Sequence, residues 1–187
     1  MIQEWRSYRL KPGAAGTYLA LLADQGLPLV TRHLPLMGYW LAETGGLNVI
    51  HHLWAYETWA EREACRAALA CETDWTQGFI PRAFALVDQQ ENRFLRLDHG
   101  LPAYHSALAT RRMAHPARAP GTPLYAPDCA GLVIGAAPQD ALARWTPLSG
   151  DPRPMALLPR GDDPVPAAPL PQGAQHFVLR PLAFSPL

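Results

Sequence analysis

The stretch from Leu47 to Leu69, LNVIHHLWAYETWAEREACRAAL, constrains the fold of this chain more than any other. Its first half, Asn48 to Glu57, carries the β-branched and aromatic residues that suit a pleated, half-buried surface. Period-two alternation puts Val49, His51, Leu53 and Ala55 on one face and Ile50, His52, Trp54 and Tyr56 on the other. Both faces are largely apolar, so both need cover, one from the strand's own helices and the other from a second sheet. The strand runs directly into a helix that extends to about Ala70. Thr58 and Glu61 mark its start with capping-box spacing: the Thr oxygen accepts from the amide three residues on, and the Glu reaches back.

The segments on either side complete a repeating order. Ile2 to Leu10 reads as a strand, ended by Lys11-Pro12-Gly13 because Pro cannot extend a ladder. Ala14 to Gln25 is helical, with Tyr18, Leu19 and Leu22 on one face and Gly26 as the expected C-terminal stop. A short broken helix follows over Leu27 to Leu34. Leu36 to Thr44 is a second strand, joined to the third through Gly45-Gly46 in a hairpin. After the capped helix, Trp75, Phe79, Ile80, Ala83, Phe84 and Val87 form another helical stripe, which Pro81 should kink or delay. Gln90 to Leu97 is a fourth strand. The order β-α-β-β-α-β is the split unit of the ferredoxin-like fold, and it leaves one sheet face for something else to bury.

Residues 99–187 differ in character, holding 16 of the 20 prolines. Gly131 to Gly135 and Gln175 to Leu182 read as strands, and Pro138 to Trp145 as a short helix with Pro in its first turn. The run Phe177 to Leu182 echoes Arg93 to Leu97, with one inserted proline, at the end of a second segment of similar length. The chain therefore divides into a unit over 1–98 and a degenerate second unit over 99–187, with Pro-rich loops at 116–127 and 159–172 where poor order is expected. The alternative is an unrelated tail lying on the first unit.

Composition excludes several function classes. The formal net charge is zero, so no basic footprint points to nucleic acid or an anionic membrane. No window approaches the ~20 apolar residues of a spanning helix, and the first residues do not form a signal peptide. Cys65, Cys71 and Cys129 form no CxxC and no disulfide framework, and the first two are expected to be small buried hydrophobes. A cytoplasmic location follows. GxGxxG and GxSxG are absent, which argues against a dinucleotide fold and a serine hydrolase.

The candidate site residues come from the strands. His51 and His52 point to opposite faces and cannot ligate one metal together, so no metal site is expected. His52 shares its face with Trp54 and Tyr56, and the proposed catalytic pair is His52 and Tyr56, with the histidine moving protons near neutral pH. A hydrogen-bonded core histidine is the alternative. Arg6 and Tyr8 share a face of the first strand, and a covered Arg needs a partner, for which Glu4, Glu43 and Glu57 are available. His33 with Arg32 forms a corner suited to a carboxylate or enolate, or else a solvated helix end. Arg6, Tyr8, His33, Tyr39 and Trp54 are the expected substrate-binding residues, and an aromatic lining suits a flat hydrophobic ligand.

Several segments resemble the NIPSNAP family of the dimeric α+β barrel superfamily. They are EWRSYRLKPG at 4–13, GLPLVTRHL at 26–34, GYW at 38–40, the strand-to-helix stretch itself, ENRFLRL at 91–97 and, at the end, VLRPLAFSPL at 178–187. The resemblance implies two ferredoxin-like units packed sheet to sheet into an α+β barrel, either as a homodimer or as a pseudo-dimer within one chain. The family carries no settled activity, while its superfamily includes cofactor-free monooxygenases and isomerases, and fold does not transfer function. Two readings follow. One is a small-molecule enzyme, cofactor-independent, acting on a hydrophobic substrate in a barrel cavity between sheet and helices. The other is a non-catalytic ligand-binding or protein-interaction module.

Overall fold

The computed structural model describes residues 1–187. Its first half runs β1 (Ile2–Leu10), α1 (Ala15–Leu21), a π-helical turn (Leu22–Gly26), α2 (Leu27–Val30), β2 (Leu36–Ala42) and β3 (Val49–Tyr56). It continues with α3 (Trp59–Ala70), a second π-helical turn (Asp74–Phe79), α4 (Ile80–Phe84) and β4 (Val87–Gly100). The second half holds α5 (Pro102–Thr110), β5 (Ala130–Ile134), β6 (Ala143–Pro147), β7 (Met155–Leu157) and β8 (Gln175–Pro181). The strands close into one antiparallel barrel in the order β1-β3-β2-β8-β5-β7-β6-β4. Within each half the strands lie in the same order, fourth-first-third-second. The second strand of each half pairs with the fourth of the other, so a single chain closes the ring.

The doubly apolar face of β3 is explained by this closure. Leu53 and Ala55 point into the barrel, and Ile50, Trp54 and Tyr56 point at the helices of the first half. The barrel interior is packed solid. Trp5 stacks on Trp40 with ring centroids 5.4 Å apart, Trp145 lies against Trp5, and Tyr104 of α5 meets Trp145 edge-on. The Gln3 Oε1 accepts from the Tyr104 hydroxyl and the Trp145 indole, each at 2.5 Å. Gly38 is required here because a Cβ would fall 2.1 Å from the Trp40 ring.

Local expectations hold where the signal is local. Thr58 caps α3 by accepting from the Glu61 amide at 3.1 Å, and Glu61 reaches back to the Glu57 amide at 2.6 Å. Gly26, expected as a stop, instead lies inside a helical run that passes through the π turn into α2. Its real constraint is space, since a Cβ would sit 2.5 Å from the Phe79 ring. Of the two outcomes expected at Pro81, a kink or a delayed helix start, the second is found: it occupies the first turn of α4, where its missing N–H costs nothing, and the π turn precedes it. Cys71, expected to be buried, caps α3 and is exposed.

The helix expected over Pro138 to Trp145 is absent. Residues 143–147 form β6 instead, paired with both β4 and β7, because closing the ring gives that backbone two hydrogen-bonding neighbours. α5 and β7 carry no periodic signal and emerge only in the structure. The Pro-rich loops are tied down: the Arg118 amide donates to the Ala23 carbonyl at 2.9 Å, and Gly161 bridges to Cys129. No helix is long and apolar enough to cross a membrane.

Candidate functional site

Sheet register builds the site. On the helix-facing side, Arg6 of β1 lies between Asn92 of β4 and His52 of β3, and Tyr39 of β2 lies beyond His52. Two residues along, the pleat repeats the pattern with Phe94, Glu4 and Trp54, and two residues the other way with Gln90, Tyr8 and Ile50. Over this surface the first-half helices enclose a cavity of about 310 Å³. His52, Tyr8, Tyr39 and Trp54 form its sheet side, and Trp75 and Phe84 contribute from the helices. Its volume is at the lower end for small-molecule sites, roughly 300–1,000 Å³.

His52 is the chemical centre. Its ring stacks on Tyr39 (4.8 Å, 5°) and meets Tyr8 edge-on at 4.8 Å. The Trp54 indole donates to His52 Nδ1 at 2.6 Å. An indole nitrogen can only donate, so Nδ1 is the acceptor and the imidazole proton sits on Nε2. Nε2 is buried and has no protein partner. Burial, reinforced by the positive charges of Arg6 and Arg66, holds the ring neutral by depressing its pKa well below the usual histidine value. His52 is therefore a neutral hydrogen-bond donor, and its one acceptor nitrogen is already occupied.

Beside it lies a buried ion cluster. Glu4 is fully buried, and its Oε1 accepts from Arg62 at 2.8 Å, Asn92 at 2.8 Å and Arg6 at 3.0 Å. Its Oε2 accepts from Arg62 Nε at 3.0 Å, with Arg66 3.6 Å away. Burial alone would push this carboxyl up; the Arg62 hydrogen bonds and the charges of Arg66, Arg6 and Arg62 more than reverse that and hold it below the ordinary range. Arg6 also donates to the Tyr8 oxygen at 3.1 Å and to Gln90 at 3.3 Å. Arg6 and Arg66 line the cavity, and no Asp or Glu does.

Of the residues expected to form a site, Arg6, Tyr8, Tyr39, His52 and Trp54 converge on the cavity. Tyr56 and His33 do not line it. Tyr56 is buried farther along β3 beside Glu4, where burial, with the Glu4 charge, pushes its phenol well above the usual value. His33 Nε2 donates to the Glu72 carboxylate at 2.8 Å, and Arg32 reaches the same carboxylate at 3.5 Å, so that corner is closed by an internal acid. His51 is turned the other way, held by Trp5 at 3.2 Å and Ser7 at 2.8 Å, with its pKa lowered to about 4 by burial and Arg93. Among the three partners considered for Arg6, Glu4 takes the role; Glu43 pairs with Arg180 and Glu57 with Arg111. The sequence reading missed Arg62 and Arg66. Their i, i+4 spacing with Leu69 completing the face marks them as inward-pointing, a signal that was present. No group of three His, Cys, Asp or Glu side chains converges anywhere in the chain.

Comparison with known proteins places this geometry in context. A family model described as NIPSNAP matches residues 3–99. Human NipSnap homolog 3A is 38% identical over 95 residues, covering 50% of this chain and 38% of the relative, so the chain spans well under half of that protein. A solved NIPSNAP domain protein of Burkholderia xenovorans is 34% identical with a TM-score of 0.52; it covers 55% of this chain and 99% of its own length. A structure from Lactobacillus acidophilus NCFM, provisionally described as a monooxygenase, covers 96% of this chain and 93% of its own at a TM-score of 0.54. Its identity is only 7%, so it shares the fold alone.

Proposed function

The chain belongs to the NIPSNAP family, and from that premise we propose that it is a small-molecule enzyme that binds a hydrophobic, enolisable ligand in the cavity over His52. The observation that carries this reading is that His52, whose buried Nε2–H has no partner, is one of the residues lining an aromatic-walled cavity. A buried donor without a partner costs about 1–3 kcal/mol, a cost removed when a ligand oxygen accepts from it. If that oxygen belongs to a ketone that gives its α-proton to a water-derived base entering with the ligand, its charge grows as the enolate forms, so the hydrogen bond strengthens toward the transition state. A neutral imidazole suits this task, because it stabilises the developing oxyanion without giving up its proton. Tyr8 takes the role first considered for Tyr56: its oxygen accepts from Arg6, which leaves its O–H to reach the ligand. Chemistry of the cofactor-independent monooxygenase or isomerase type fits, with dioxygen as co-substrate in the former.

A second reading, a non-catalytic ligand-binding module, is favoured by one specific observation. No carboxylate lines the cavity and His52 Nδ1 is occupied, so no side chain there is set up to remove a proton. Both readings are tested by titrating aromatic ketones and phenols against Trp54 and Trp75 fluorescence, then following the bound compound under air. Product formation that disappears in His52→Ala supports the enzyme, and tight binding without product supports the module. Absence of binding, or full binding and turnover in His52→Ala, overturns the assignment of His52.

We also read residues 99–187 as a degenerate second unit that stands where a partner subunit would, making an intramolecular pseudo-dimer. The shared strand order of the two halves supports this, as does the Burkholderia relative, whose whole length matches just over half of this chain. The three free cysteines suit a reducing compartment, the cytoplasm.

A further inference from the structure

We infer that the ligand of this cavity is a monoanion, a flat apolar acid whose carboxylate is received by Arg66 and Arg6 while its other end lies against His52 and Tyr39. The inference rests on the proposal that the cavity holds a ligand, and it specifies what kind.

Charge counting around Glu4 leads to it. Arg6, Arg62 and Arg66 bring three positive charges to this one buried carboxylate. Four hydrogen bonds from Arg6, Arg62 and Asn92 occupy its two oxygens. Arg66, at 3.6 Å, is outside hydrogen-bonding distance and feels Glu4 only through its charge. Glu63 offsets Arg62 from the solvent side, at 2.5 Å and with half its side chain exposed. One positive charge therefore remains unmatched; it falls on Arg66, which lines the cavity with Arg6 but does not hydrogen-bond Glu4, and no acid in the lining answers it.

Position reinforces the count. His52 is buried, Arg6 beside it keeps 13% of its side chain exposed and Arg66 33%, so the cavity opens from a dry histidine end toward Arg66. A neutral apolar ligand filling this mouth would strip water from Arg66 and give nothing back, which is costly for a guanidinium. An anion restores the lost interaction, and in a partly desolvated site the attraction is several times stronger than in water. A single excess charge matches a monoanion better than a phosphate monoester. The planar fork of a guanidinium also matches the two oxygens of a carboxylate.

The test uses the full chain and a matched pair of probes, 2-naphthoate and naphthalene-2-carboxamide, titrated against intrinsic tryptophan fluorescence. The acid should bind at least about tenfold more tightly than the amide, the range expected for one charge-assisted contact. In Arg66→Gln the amide should bind as before and the difference should shrink to about threefold or less, with Arg66→Lys recovering part of it. Circular dichroism of each variant guards against misfolding. Equal affinity for acid and amide overturns the anion inference and leaves the cavity reading standing. Binding of neither probe removes the cavity reading and this inference with it. A preference that survives Arg66→Gln overturns the assignment to Arg66, and tighter binding of naphthyl phosphate than of naphthoate overturns the monoanion.

Discussion

Replacing Glu4 with Gln tests whether the ion cluster is structural as well as electrostatic. The carboxylate is fully buried, and the Arg62 and Arg6 side chains that hydrogen-bond it are only 10% and 13% exposed. Removing one partner of a buried charge network costs about 3–5 kcal/mol, chiefly because the remaining charges are left uncompensated. Gln keeps one carbonyl oxygen as an acceptor, and Arg66 is partly solvated, so the lower end, about 3 kcal/mol, is expected. For a chain of this size that is a fall in Tm of about 6–12 °C. Urea unfolding followed by tryptophan fluorescence and circular dichroism measures it, with an unchanged m value confirming that the native state is the one affected. The control is Glu43→Gln, whose pair with Arg180 is about one-third exposed on both sides and should contribute no more than about 1 kcal/mol. pH adds an independent arm. Because the folded-state pKa of Glu4 is depressed, its contribution is complete above the unfolded value near 4.5 and is lost as pH falls through the folded value. Glu4→Gln should remove that part of the acid limb. A loss indistinguishable from the Glu43→Gln control would refute the view that three arginines depend on this one carboxylate.

Other expectations follow from the same structure. His51 has a folded pKa of about 4, so the unfolded chain binds its proton first as pH falls below about 6.5; its share of the stability lost between pH 8 and pH 5 should be about 1–2 kcal/mol, and His51→Gln should remove that share in Tm measurements while the loss due to buried His52 remains. Gly26→Ala places a methyl 2.5 Å from the Phe79 ring and should cost about 1–3 kcal/mol in denaturant unfolding, with Phe79→Leu recovering part of the loss in the double variant. The ring leaves no unpaired sheet edge for a second copy, so light scattering should give the mass of one chain, 20.5 kDa; a stable dimer would contradict the pseudo-dimer reading.

Much of the first half was legible because its signals are local. A capping residue, a two-residue period and a helical stripe each act over fewer than about a dozen positions. Trp54 and His52 could be placed on one face by pleat alone, as could Arg6 and Tyr8 on the neighbouring strand. What no local pattern carried was the register that sets Arg6 beside His52, or the helix packing that aims Arg62 and Arg66 at Glu4. The tautomer of His52 depends on an indole two residues away that happens to turn toward it. Tyr56 failed as a cavity residue for a similar reason: it shares the correct face but lies one pleat too far along, under α3.

The sequence by itself determined that β3 would be buried on both faces, that Thr58 would cap the start of α3, and that a β-α-β-β-α-β unit would need a second sheet to cover it. Tertiary structure decided what that cover is. Residues 138–145 have a helical composition, yet 143–147 become a strand because β4 and β7 offer unpaired backbone groups on either side. Backbone hydrogen bonding satisfied across a closing ring outweighs the few tenths of a kcal/mol per residue that helix propensity supplies. The same closure fills the barrel with tryptophan and leaves the cavity to the helix side, where Arg6 of β1 and Arg66 of α3 meet beside Glu4 and line it with positive charge.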